Sequence, residues 1–70
     1  MEDFLVENRI KKYRLALGIP QWKLALAAEI AESRMSTLEQ GAPPREMERK
    51  KLAKVLNVHE SDLWPEAQKD

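Results

Sequence analysis

The chain contains no cysteine, so neither a disulfide nor a thiolate metal site can support it, and that usage fits a reducing, cytoplasmic setting. It has no apolar run long enough to span a bilayer, which leaves a membrane off the list of expected partners. Its start, MEDFLVENR, is acidic and too poor in apolar residues to read as a signal peptide. Glycine is scarce: Gly18 and Gly41 each sit where a helix should end, so no glycine-rich phosphate loop is available. The one histidine, His59, has no neighbours with metal-ligand spacing, and the carboxylates are scattered over separate segments. These gaps argue against an enzyme and against any cofactor. An excess of either charge is also missing, because 12 Lys and Arg balance 12 Asp and Glu. With 70 residues the chain has room for one small core, and helices, whose contacts are local, suit that size.

Charge is present but segregated. Arg9, Lys11, Lys12, Arg14 and Lys23 fall in a stretch without a single acid. From Leu24 to Glu48 the balance turns acidic, and Arg49, Lys50, Lys51 and Lys54 form a second basic block. Local fields can therefore attract phosphates although the sum vanishes. Ordinary solvated helix faces would give the same blocks.

The most informative stretch is QWKLALAAEIAESRMSTLEQG, Gln21 to Gly41. It reads as two short helices joined by a tight turn. Leu24, Ala25 and Ala28 make the apolar face of the first, Met35 and Leu38 that of the second. Away from Met35 and Leu38, Glu32, Ser33, Ser36 and Thr37 form a small polar stripe pointing outward. Hydroxyls can donate or accept at base edges, a threonine methyl can meet a thymine methyl, and a glutamate can accept from cytosine.

With Gln21, Leu24-Ala25, Leu38-Glu39 and Gly41 in this order, the chain resembles the lambda Cro/repressor-like (XRE) helix-turn-helix family. Arg9, Ile10, Arg14 and Leu17-Gly18 upstream agree with it, as do Leu52 to Leu56 and Val58 downstream, so the likeness spans residues 8 to 64. It implies an all-α, five-helix lambda repressor-like bundle over residues 1–66 with a frayed tail at 67–70. The implied base readers are Glu32, Ser33, Ser36 and Thr37, and the implied contacts to the DNA backbone are Gln21, Lys23, Arg34 and Arg45. Arg14 and Glu39 are implied to be a structural ion pair. The family generally binds double-stranded DNA as a dimer on two half-sites, so a homodimer is part of the expectation.

In chain order, Asp3 is expected to cap a first helix running to Leu17, with Val6, Ile10, Tyr13 and Leu17 as its buried stripe. Gly18 suits a left-handed cap, and Ile19 should return to the core. Helix 2 should run from Pro20 or Gln21 to Ala28, and helix 3 from Glu32 to Gln40. Three residues depart from the family pattern. Pro20 and Ala31 replace side-chain caps, and Glu29 stands where the turn normally needs glycine for its positive φ. Trp22 is expected either to pack on the N-terminal segment, the favoured reading, or to lie beside the DNA backbone. Pro44 suits the first position of helix 4, whose inward residues would be Met47, Leu52, Val55 and Leu56. Asn57 suits a left-handed cap, and His59 occupies the capping position before a short helix from Glu60 to Trp64, where Leu63 and Trp64 close the core.

Two functions stand against each other at this point. One is sequence-specific binding of duplex DNA by a small transcriptional regulator, with helix 3 in the major groove. The other is a protein-interaction module of antitoxin or co-regulator type, weak in DNA affinity, with a partner on the Trp22 face. Zero net charge and the acidic start of helix 3 favour the second.

Overall fold

Four of the five helices end in the same way, and those endings shape the molecule. The computed structural model describes residues 5–65, and its helices are α1 (Ile10–Ala16), α2 (Gln21–Ala27), α3 (Glu32–Glu39), α4 (Glu46–Leu56) and α5 (Glu60–Leu63). After each of the first four comes one residue of positive φ: Gly18 at 71°, Glu29 at 59°, Gly41 at 118° and Asn57 at 60°. The next residue donates its N–H back into the helix: Ile19 to the Arg14 carbonyl, Ile30 to Ala25, Ala42 to Thr37 and Val58 to Ala53. This closing bond satisfies a carbonyl that the helix leaves open and turns the following side chain inward. Ile19, Ile30, Ala42 and Val58 are all half-buried as a result. Glu29 therefore adopts the glycine-like conformation in spite of its Cβ.

The core collects one face from each helix. Ile10, Leu24, Ala25, Ala28, Met35, Leu38, Leu52, Ala53, Leu56, Leu63 and Trp64 form one buried cluster, edged by Val6, Tyr13, Ile19, Ile30, Val55 and Val58. Among the described residues the fold is all-helical, without a strand. The radius of gyration, 11.2 Å, matches the roughly 11 Å of a compact chain this long. Trp64 is buried, and its indole N–H finds no acceptor among the described residues.

Several expected boundaries shift, each for a local reason. Helix α1 begins at Ile10, not near the N-terminus. The Asn8 side-chain oxygen accepts the Ile10 N–H at 3.1 Å and sets the start there. Asp3 and the tail at 67–70 lie outside the described residues. Residues 5–9 instead form a strap across the ends of two later helices. Val6 N–H donates to the Gly41 carbonyl at 2.7 Å and Arg9 N–H to Leu63 at 2.8 Å. Leu17 is exposed, because α1 has ended before it and Gly18 redirects the chain. Arg14 takes the inward place of Leu17. Helix α4 starts at Glu46 with Arg45 as its cap residue, so Pro44 stays in the connector. That start turns Met47 out to solvent and Glu48 in. Helix α5 is capped in reverse: His59 supplies its N–H, and the Asp62 carboxylate reaches back to accept it at 2.9 Å. No helix among the described residues is long and apolar enough to cross a membrane.

Candidate nucleic-acid interface

Helix α3 is eight residues long, too short to be stable alone. Its neighbours must hold it, and they do so from three directions. On one side lies Glu39, nearly buried at 6% side-chain exposure. Arg14 of α1 binds it with two parallel bonds, Nε to Oε2 at 2.7 Å and Nη2 to Oε1 at 3.2 Å. Gln21 of α2 adds a third donor, Nε2 to Oε1 at 3.1 Å. The remaining Arg14 Nη1 donates to the Ile19 carbonyl at 3.0 Å. One carboxylate thus joins α1, α2 and α3. The planar fork of arginine matches a carboxylate in a way lysine cannot.

On a second side, Arg34 of α3 reaches Glu48 of α4, again with two bonds, at 2.7 and 2.9 Å. Its Nη2 also donates to the Pro43 carbonyl at 3.2 Å, so the connector is tied in as well. Glu48 accepts the Arg45 N–H at 2.8 Å. The Arg34 bond, and after it the Arg45 N–H, hold the Glu48 carboxyl below the usual carboxylate range, against the burial that pushes it up. The same bond to Glu48 raises the Arg34 guanidinium above its ordinary value. On the third side, Asn8 Nδ2 donates to the Leu38 carbonyl at 2.9 Å, in the last turn of α3.

With Met35 and Leu38 buried and Glu39 clamped, the opposite face of α3 is fixed outward. It carries Glu32, Ser33 and Thr37, all exposed, and the half-buried Ser36. Gln40, just past the helix end, is exposed and joins them through Nε2 to Ser36 Oγ at 3.4 Å. The Thr37 hydroxyl donates back to the Ser33 carbonyl at 3.0 Å. Its proton is used, which leaves lone pairs and a methyl facing solvent. Ser33 makes no side-chain bond among the described residues and keeps both donor and acceptor capacity. The face therefore combines donors, acceptors and a methyl, without a permanent positive charge.

The four residues expected on a DNA backbone separate into two pairs. Lys23 and Arg45 are exposed, and the Arg45 side chain, 77% accessible, lies a loose 4.0 Å from Glu48. Gln21 and Arg34 have their donors engaged inside the fold instead, on Glu39 and Glu48. Gln40, Asn8 and Glu48 are functional neighbours that sequence reasoning missed. Gln40 could have been found from its position one turn beyond Ser36. Asn8 is a residue type that bonds the backbone two positions on, and it stands two residues before Ile10. Glu48 gave less warning, because in the sequence it is one more acid of the acidic stretch from Leu24 to Glu48.

Trp22, expected against the N-terminal segment, is instead 53% exposed. Leu26, one turn further along α2, is 71% exposed. An open cleft of about 290 Å³ lies between the α2–α3 turn and α4, lined by Ile30, Arg34, Arg45, Met47, Glu48 and Lys51 among others. Its charges are paired in the main, and it shows no enclosed ligand shape. Among the described residues no group of acids and histidine could hold a metal ion.

No family model matches the chain, and neither a curated protein nor a solved structure is similar to it.

Proposed function

We propose that this chain binds duplex DNA sequence-specifically as a small transcriptional regulator, inserting α3 into the major groove. The observation that carries the proposal is the outward stripe of Ser33, Ser36, Thr37 and Gln40 on a helix braced by Glu39, Arg34 and Asn8. Base readout needs side chains held at fixed depth, and a helix pinned from three sides meets that need. In this reading the helices take a lambda repressor-like arrangement, with α2 across the backbone and α3 in the groove. Ser33 and Thr37 meet base edges, and Glu32 at the start of α3 accepts from cytosine or rejects other bases. Arg45 and Lys23 meet phosphates. Gln21 serves chiefly to hold Glu39, and Arg34 chiefly to hold the connector, so neither is needed as a phosphate contact. A second copy of the chain would supply the other half-site.

Fluorescence anisotropy with random-sequence duplexes at low and moderate salt tests this directly. Affinity should fall steeply with salt, with a log-log slope of about −0.9 per phosphate contacted. Arg45→Ala should weaken all sequences alike and reduce that slope by about 1. Ser33→Ala and Thr37→Ala should leave the slope unchanged and alter which sequences are selected. Absence of binding at low salt would favour the protein-interaction module, a reading supported by the exposed Trp22 and Leu26.

A further inference from the structure

Outside α3, the molecule has an uneven distribution of neutralised charge. Of the five cations on α3 and α4, four sit beside acids, Arg34 on Glu48, Arg49 on Glu60, Lys50 on Glu46 and Lys51 on Glu29, and Lys54 enters no ion pair among the described residues. On α1 and α2 only Arg14 is matched, by Glu39. Lys11, Lys12 and Lys23 enter no ion pair among the described residues, and no carboxylate occurs in the sequence between Asn8 and Ala28. This half of the chain is thus basic although the whole is neutral. Large apolar side chains are also exposed there: Leu15 on α1, and Trp22 and Leu26 on α2. Residues three and four apart on a helix are neighbours. Leu15 therefore has Lys11 and Lys12 one turn behind it, and Leu26 has Trp22 and Lys23 in the same relation.

Single exposed leucines are ordinary. A tryptophan and a leucine on one ridge with a lysine between them, the nearest acids in sequence and contact, Glu29 and Glu39, being paired with Lys51 and Arg14, have a defined complement. From this geometry we infer that the outer ridge of α2, Trp22–Lys23–Leu26, docks an acidic amphipathic helix of a protein partner. Its apolar residues cover Trp22 and Leu26, while its carboxylates face Lys23. Tryptophan is the side chain most often found as the anchor of such contacts. The helix-in-groove mode requires only a few apolar anchors at helical spacing. This surface leaves out the polar stripe of α3 but shares Lys23 with the proposed phosphate contact, so the partner helix and duplex DNA compete for that lysine, and the peptide test needs no DNA.

The test uses two synthetic helical peptides of about 15 residues, with leucine at successive third and fourth positions. The remaining positions are glutamate in one peptide and lysine in the other. Trp64 is 1% exposed and Trp22 53%, so a soluble quencher reports on Trp22 alone, with Trp22→Phe as the blank. The acidic peptide should shift Trp22 emission to the blue and protect it from the quencher. Anisotropy of the labelled peptide should weaken at least about tenfold on Leu26→Ser or Trp22→Ala, whereas Met47→Ser, on a different exposed apolar residue, should change nothing. Lys23→Glu should weaken the acidic peptide and strengthen the basic one. Equal binding of both peptides, equal loss with Met47→Ser, or no binding of the acidic peptide would overturn the inference. So would protection of Trp22 by anionic vesicles, by duplex DNA or by self-association seen in sedimentation, with the acidic peptide ineffective.

Discussion

Glu39 is held by two Arg14 bonds and one from Gln21, all around a side chain almost out of water. A charge in that position depends on its partner, so Arg14→Ala should cost about 3–5 kcal/mol, read as a fall in the urea midpoint. The double change Arg14→Met with Glu39→Leu should cost distinctly less, because no orphaned charge remains. Glu48 makes a pH prediction. Its carboxyl is held low by Arg34, so the native state binds its proton less readily than the unfolded chain. The stability from this group is complete above the unfolded carboxylate value of about 4.3 and is lost as pH falls through the lower folded value. Melting temperatures taken from neutral pH downwards should decline in that acid window. Glu48→Gln should start lower at neutral pH and decline less steeply. Glu29 is the opposite case, an exposed residue in a left-handed turn whose bridge to Lys51 is open to solvent. Glu29→Gly should melt higher than the parent, because relief of the Cβ strain outweighs an exposed ion pair.

At the level of elements, the strap from Leu5 to Arg9 was the least legible part of the sequence, and Asn8 explains why. The periodicity of Val6, Ile10, Tyr13 and Leu17 suits a helix, and the one local signal against it is the Asn8 side chain, whose oxygen takes the Ile10 N–H. The bonds that hold the strap in place run to residues 30 or more positions away, Leu38, Gly41 and Leu63, which pattern reading does not see. The ends of α1, α3 and α4 were legible because their stop signals are local: Gly18, Gly41 and Asn57 are residue types that accept positive φ. The ion pair of Arg14 with Glu39 was legible only through resemblance, and the Arg34–Glu48 pair was missed because it joins two helices across a proline connector. Asn8→Ala removes both the side-chain acceptor of the Ile10 N–H and the bond to Leu38, and should cost about 1–2 kcal/mol in a denaturation curve. Asn8→Asp keeps the accepting oxygen and loses the donor, so its cost should fall between the two.

On the scale of the molecule, zero net charge conceals an asymmetry. All cations on α3 and α4 but Lys54 are locally answered by acids, while among the described residues Lys11, Lys12 and Lys23 are not. Long-range attraction of an anionic partner should therefore come from the α1–α2 side and be largely screened near 0.15 M salt, where the Debye length is about 8 Å. Lys11→Glu with Lys12→Glu should slow association with duplex DNA at low salt and have little effect at high salt, measured by stopped-flow anisotropy. A buried Trp64 beside an exposed Trp22 also gives two independent optical signals for such work, one for folding and one for surface events.

Gly41 lies where the strap crosses the end of α3. A methyl added there would sit 3.3 Å from the Leu5 Cβ and 3.4 Å from the Val6 carbonyl oxygen. Alanine at this position would have to push the front of the chain off its seat, pulling Asn8 from Leu38 in the process. The rest of the core would be left in place. Gly41→Ala should therefore become sensitive to a trace of protease near residues 5–9 while Trp64 still reports an intact interior.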